Sequence, residues 1–155
     1  MISRRRWLAV AASGALLGWV RRPALGALLP ESASPLVVVY KDASCGCCKA
    51  WVKHMAAAGF PTEAHDVADM DAIKTRYGVP TGMRSCHTAI VGAYAIEGHV
   101  PADDVKRLLH EQPKVRGLAV PGMVTGSPGM EGGTPERYLV LAFQSDGKNL
   151  PFASH

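Results

Sequence analysis

Charge and aromatic residues are both scarce in this sequence. Asp, Glu, Lys and Arg make up 19% of its 155 residues, too few for a coiled coil or a long solvent-exposed helix. Its four cysteines are too few for a disulfide-dense miniprotein. The apolar stretch Trp7 to Val20 has 14 residues, short of the about 20 that a membrane-spanning helix needs. General disorder is excluded by a hydrophobic fraction of 48%, enough for one packed domain of this length.

The formal charge of +4 would suggest an anionic partner such as nucleic acid, but its distribution argues otherwise. Five of the 17 positive charges lie in Arg4-Arg5-Arg6 and Arg21-Arg22, on either side of the apolar stretch. A basic start, a short apolar segment and then small residues describe an export signal, with Ala24-Leu25-Gly26 as a small-x-small cleavage site. Ser3-Arg4-Arg5-Arg6-Trp7-Leu8 is similar to a twin-arginine signal; an ordinary secretion signal with an arginine-rich start is the alternative. Residues 1–26 are therefore expected to be an address to the periplasm, leaving no membrane span after cleavage. From Ala27 onward 12 Lys and Arg face 13 Asp and Glu, a net of −1, which removes the main support for nucleic-acid binding.

The remaining chain predicts alternating elements. Leu36-Val37-Val38-Val39-Tyr40 is a β-branched run of the kind buried on both faces of a sheet. Cys47 to Ala58 reads as a helix with Trp51, Val52, Met55 and Ala58 on one face, stopped by Gly59. A weaker strand over Thr62 to Val67 follows, then a short helix capped by Asp69 and ending at Tyr77. Thr88 to Val91 and Tyr94 to Glu97 predict a hairpin. Pro101 opens the next helix, with Asp103 and Asp104 in its first turn. Residues 113–136 are rich in glycine and proline and predict a long irregular segment, of a length that is either functional or disordered. Tyr138 to Phe143 predicts one extra C-terminal strand, and the tail is expected to fade after Gly147. The order is that of an α/β, thioredoxin-like chain, a βαβ half followed by a ββα half.

The cysteines carry the chemistry. Cys45-Gly46-Cys47-Cys48 places three thiols within four residues, between a buried strand and a helix. A helix N-terminus favours thiolate over thiol. Cys45 and Cys48 have the C-x-x-C spacing of a redox dithiol, and Cys47 is then surplus. Clustered thiolates are soft ligands that select Cu(I) or zinc. Ser85-Cys86-His87 precedes the third strand, where a thioredoxin-like order would set Cys86 and His87 opposite the first motif. Two alternatives stay open: disulfides such as Cys45–Cys48 with Cys47–Cys86, or a closed zinc site of Cys₃His type.

Met123 and Met130 sit in the Gly/Pro segment rather than on an apolar stripe, and thioether is a Cu(I) ligand. His54 lies two helical turns beyond Cys47, about 10 Å along the axis, and reads as a half-buried, hydrogen-bonded histidine. His99 reads as a ligand or a turn residue. His65, His110 and His155 have no informative context.

These motifs in their order resemble the exported copper-resistance proteins of the CopG family. The resemblance runs over residues 36–152. It rests on Val39-Tyr40-Lys41, Cys45-Gly46-Cys47-Cys48 with Trp51 and His54, Gly78-Val79-Pro80, Ser85-Cys86-His87-Thr88-Ala89 and Glu97-Gly98-His99-Val100-Pro101. It continues through Gly117 to Met123 and Gly126 to Glu131. The resemblance implies periplasmic copper handling, a multinuclear Cu(I) cluster bridged by Cys45, Cys47, Cys48 and Cys86, and copper redox interconversion, with other periplasmic copper-handling or redox proteins as partners. Two other functions remain: a thiol–disulfide oxidoreductase with Cys45 attacking and Cys48 resolving, or a passive copper chaperone.

Overall fold

The computed structural model describes residues 34–155; the expected export signal and its cleavage site lie outside the described residues. Seven strands and three helices follow in the order β1 (Val37–Lys41), α1 (Gly46–Ala57), β2 (Thr62–Asp66), α2 (Met70–Arg76), β3 (His87–Val91), β4 (Tyr94–Glu97), α3 (Ala102–Glu111), β5 (Gly117–Ala119), β6 (Leu139–Phe143) and β7 (Asn149–Ser154). All strands join one sheet in the order β2-β1-β3-β4-β5-β6-β7. The β-branched run of β1 is central to its half, parallel to β2 and antiparallel to β3. The βαβ and ββα order expected from the sequence is therefore present.

Two differences concern the C-terminal third. Gly117–Ala119 is a strand within the segment expected to be irregular, and it pairs in parallel with β4. The tail does not fade after Gly147: Asn149–Ser154 pairs antiparallel with β6. The sheet thus gains three strands beyond the hairpin, not one. Close approach explains β5: a Cβ on Gly117 would lie 1.7 Å from the Ala95 carbonyl oxygen, so only glycine permits this pairing. Pro101, expected as the first helical residue of α3, is instead its N-cap.

The buried face of α1 is Cys48, Trp51 and Met55, packed with Val37, Val39, Ala89 and Val91 in the main core. Phe60 fills the end of that core, just past the helix stop at Gly59. From α3, Val105 and Leu108 join the same core. Burying such side chains contributes about 1.5–3 kcal/mol each. This packing fixes α1 against the sheet, so its N-terminus sits where the chain enters β3.

Candidate metal centre

Cys45 is the N-cap of α1, its sulfur accepting from the Cys48 amide at 3.3 Å. Helix starts leave amide groups without intrahelical partners, and a cap side chain satisfies one of them. The helix then presents Cys47 at its exposed end and buries Cys48 completely. Cys45 and Cys48 are joined as a disulfide, while Cys47 and Cys86 are free thiols. The Cys47 sulfur lies 3.5 Å from that of Cys45 and 4.0 Å from that of Cys86. All four sulfurs fall within 4.8 Å of one another.

Cys86 is brought to that position from the facing side, by the residues that lead into β3. A buried carboxylate holds this turn. Glu97 accepts from the Ser85 amide at 2.6 Å, from Lys74 Nζ at 2.5 Å and from Thr88 Oγ1 at 2.6 Å. Gly98 follows at φ +70°, and a Cβ there would meet Ser85 Oγ and the Val120 carbonyl, each at 2.6 Å. The chain can therefore pass close behind Cys86 only as glycine.

Two imidazoles complete the cluster. Cys86 Sγ lies 3.3 Å from His87 Nδ1 and 2.9 Å from His99 Nε2, and both histidines are fully buried. His87 packs between Trp51, at 4.5 Å between ring centroids, and His99, at 5.2 Å edge-on. Trp51 is itself oriented by its indole N–H, which donates to the Val100 carbonyl at 2.8 Å. Cys86, His87 and His99 form a second set of donor atoms within 4.8 Å of one another.

Burial dominates the electrostatics. It pushes the Cys86 thiol up to about 12, with Cys47 adding to the effect, so Cys86 is a neutral thiol here. The thiolate-favouring helix terminus belongs to α1, and Cys86 is on the opposite loop. Burial also lowers His87 well below the ordinary histidine value, helped by His99 and Lys74. It lowers His99 too, against the opposing influence of the Pro128 carbonyl. The imidazoles are neutral, as metal ligation requires.

The Gly/Pro segment closes over this group. The Pro128 carbonyl lies 2.7 Å from His99 Nδ1. Gly129, at φ +88°, is seated where a Cβ would come within 2.8 Å of the Cys47 carbonyl. Met130 follows and is half-buried; its backbone bonds to Gly126 and Ser127. Met123 is 60% exposed, one residue after Gly122, whose carbonyl accepts from Ser85 Oγ.

The structure therefore gathers Cys45, Cys47, Cys48, Cys86 and His87 in one place, and adds His99. Its sequence signal was present in Gly98-His99, a positive-φ turn between the hairpin and α3. Lys74 and Glu97 gave no signal, since each reads as a surface charge. His54 stands apart, its Nε2 accepting from the Ala102 amide at 3.0 Å, the half-buried role its spacing predicted. His155 is tied to Asp104 at 2.7 Å and stacked on Tyr138, far from an uninformative tail residue.

Fold and site together define a one-domain α/β protein built around a cysteine cluster. The chain belongs to the CopG copper-resistance family: two solved structures, of copper resistance protein CopG in forms 1 and 2, match it at 45% identity and a TM-score of 0.74, covering 79% of this chain and 98% of theirs. A family model described as protein of unknown function, DUF411, matches residues 83–130, the stretch from Met83 through Cys86, His87 and His99 to Met130. A search of the curated proteins finds no match.

Proposed function

We propose that this chain is an exported copper-resistance protein that binds Cu(I) through Cys45, Cys47, Cys48 and Cys86 once the Cys45–Cys48 disulfide is reduced. The observation that carries this reading is the convergence of four sulfurs within 4.8 Å. Soft thiolates select Cu(I) among the ions of a cell envelope, and sulfurs this close favour thiolates that bridge adjacent ions in a multinuclear cluster. Zinc in a Cys₃His arrangement is the lesser alternative. The name of the two CopG structures supports copper over zinc. His87 assists from beside Cys86, and Met123 and Met130 serve as outer thioether ligands on the loop. A thioredoxin-like scaffold is supported by the sheet order β2-β1-β3-β4 with α1 starting at the cysteines.

Export to the periplasm, by the twin-arginine route, rests on residues 1–26. Among the described residues no helix is long and apolar enough to cross a membrane. Interconversion of Cu(I) and Cu(II) with a periplasmic electron partner is part of the same reading.

Anaerobic titration of the reduced protein with Cu(I) tests it, with metal counted per chain. The wild-type chain should take up more than one Cu(I), and Cys47→Ser/Cys86→Ser should lose cluster loading. Normal loading of that double variant, or a plateau at a single zinc-like ion, would sink the cluster.

One observation favours a second reading. The closed Cys45–Cys48 disulfide at a helix start, with Cys48 fully buried and Cys45 partly accessible, is the arrangement of a dithiol oxidoreductase. Cys45 would then attack and Cys48 resolve. Retention of disulfide-reducing activity in Cys47→Ser/Cys86→Ser would support it.

A further inference from the structure

We propose that a cleft at the end of the sheet opposite the cysteines binds a small carboxylate with a short hydrocarbon tail. The proposal is independent of the copper reading above.

The register of the sheet separates the two places. Lys41 pairs with His87, Thr88 with Glu97, and Glu97 with Ala119, and the cysteines stand at the end these residues mark. Ala95, Gly117 and Phe143 are paired across the other end. There the chain enters β5 through Lys114, Val115 and Arg116, and leaves β6 into the turn from Gln144 to Lys148. Two hollows open between these segments and share Val115 and Gln144 in their walls. One, of about 270 Å³, has Val115, Ala142 and Leu150 as its apolar lining. The other, of about 460 Å³, carries Lys114, Arg116, Ser145 and Asp146. An apolar compartment therefore lies beside a cationic one.

The first argument is Arg116. Its main chain is fixed on both sides: its amide donates to the Phe143 carbonyl at 2.8 Å, and its carbonyl accepts from the Ala95 amide at 3.0 Å. The half-buried side chain is fixed as well, since Nε donates to the Tyr77 carbonyl at 2.7 Å. A guanidinium has five N–H donors, and this bond uses one. Among the described residues no carboxylate pairs with Arg116 or Lys114, whereas Lys148 is paired with Asp146 at 2.8 Å. Gly78 makes room beside this group: at φ +71°, a Cβ there would lie 2.8 Å from Ser145 Oγ and 3.4 Å from Arg116 Nε. A guanidinium oriented in advance is suited to hold a carboxylate through two parallel hydrogen bonds.

The second argument is Leu150. It is 70% exposed, although it stands opposite Ala142, a member of the main core. Val115 packs on the same core and is half-buried. An apolar tail laid between Val115 and Leu150 would extend that core over surface now facing water. Size limits the ligand: pockets for drug-sized molecules begin at about 300 Å³, so this hollow takes a short chain and not a whole lipid. Charge limits it too. Asp146 lines the cationic hollow and repels a second negative charge, so a carboxylate suits the cleft better than a phosphate dianion.

The test titrates sodium octanoate, below its micelle-forming concentration, into the whole protein. Binding is followed through amide chemical shifts in nuclear magnetic resonance. The shifts should saturate and fall on residues 114–117 and 142–150. Arg116→Gln and Leu150→Asp should each weaken binding about tenfold or more. Acetate, which lacks the tail, and octanol, which lacks the charge, should bind more weakly by a similar factor. Leu150 is exposed, so Leu150→Asp keeps the test decisive should Arg116→Gln fail to fold. Unchanged octanoate binding in either folded variant would overturn the proposal. So would equal binding of acetate, which marks a bare anion site, or of octanol, which marks a hollow that reads no charge. Shifts that do not saturate, or that fall on other residues, would overturn it as well.

Discussion

Glu97 has no exposed surface, yet its carboxylate is held from three directions, by the Lys74 ammonium, the Thr88 hydroxyl and the Ser85 amide. Thr88 is its direct cross-strand partner, and Lys74 covers the pair from α2. The arrangement is a buried ion pair whose second task is to hold the turn that carries Cys86. Removing one partner of such a pair is costly because it strands the other charge. Glu97→Gln should destabilise the protein by about 3–5 kcal/mol, measured by denaturant unfolding of the copper-free chain. Glu97→Gln combined with Lys74→Met should recover much of that loss, since no buried charge is then left unpaired. If the single and double variants unfold alike, the pair is not what holds the turn. Nothing in the sequence announced this: a lysine in a short amphipathic helix and a glutamate ending a hairpin each pass for surface residues. Cysteine is different, because three thiols in four positions have few structural explanations, and this part of the site was legible at once.

At the scale of elements, legibility followed the strength of the local signal. The β-branched run of β1, the apolar face of α1 and the glycine stops between them are dictated by sequence-local physics, and the structure places them within a residue or two of expectation. β5 left no such trace. It is three residues long, its first residue is glycine for reasons of close approach to β4, and it lies between Pro113 and Pro121. β7 was hidden by Pro151, which cannot donate to a ladder; it is tolerated because β7 is the sheet edge and the β6–β7 pairing is irregular beside it. The Gly/Pro segment was visible as a long loop, but its target was not, because its anchors are backbone atoms. Gly129 is the position where this can be tested. A Cβ there would sit 2.8 Å from the Cys47 carbonyl and 2.9 Å from the Trp51 amide, at a φ of +88°. Gly129→Ala should push the loop off α1, cost about 1–2 kcal/mol from the backbone conformation alone, and expose residues 121–135 to limited proteolysis. An unchanged digestion pattern would show that the loop is not pinned at this point.

For the whole molecule, the burial of three histidines makes an acid-sensitive fold. His54 from α1, His87 from β3 and His99 from the turn before α3 all have their proton affinity lowered, in each case chiefly by burial. The sign follows from linkage. In the unfolded chain these imidazoles take up protons near pH 6.5, whereas in the folded chain they resist until a lower pH. Between those values the unfolded state binds more protons, so stability rises with pH. It is greatest above about pH 6.5 and is lost as pH falls towards the folded values. Carboxylates titrate near pH 4, so a decline that begins near pH 6.5 belongs to the histidines. The copper-free protein should therefore melt at progressively lower temperature from pH 7 to pH 5. His87 is the most strongly affected of the three, being fully buried with His99 and Lys74 adding to the burial. His87→Phe keeps the aromatic contact with Trp51 and removes one titrating group, so its melting temperature should change less over the same interval. A wild-type melting temperature that stays flat from pH 7 to pH 5 would mean that these imidazoles accept protons in place, and that water or local opening reaches a site the packing closes.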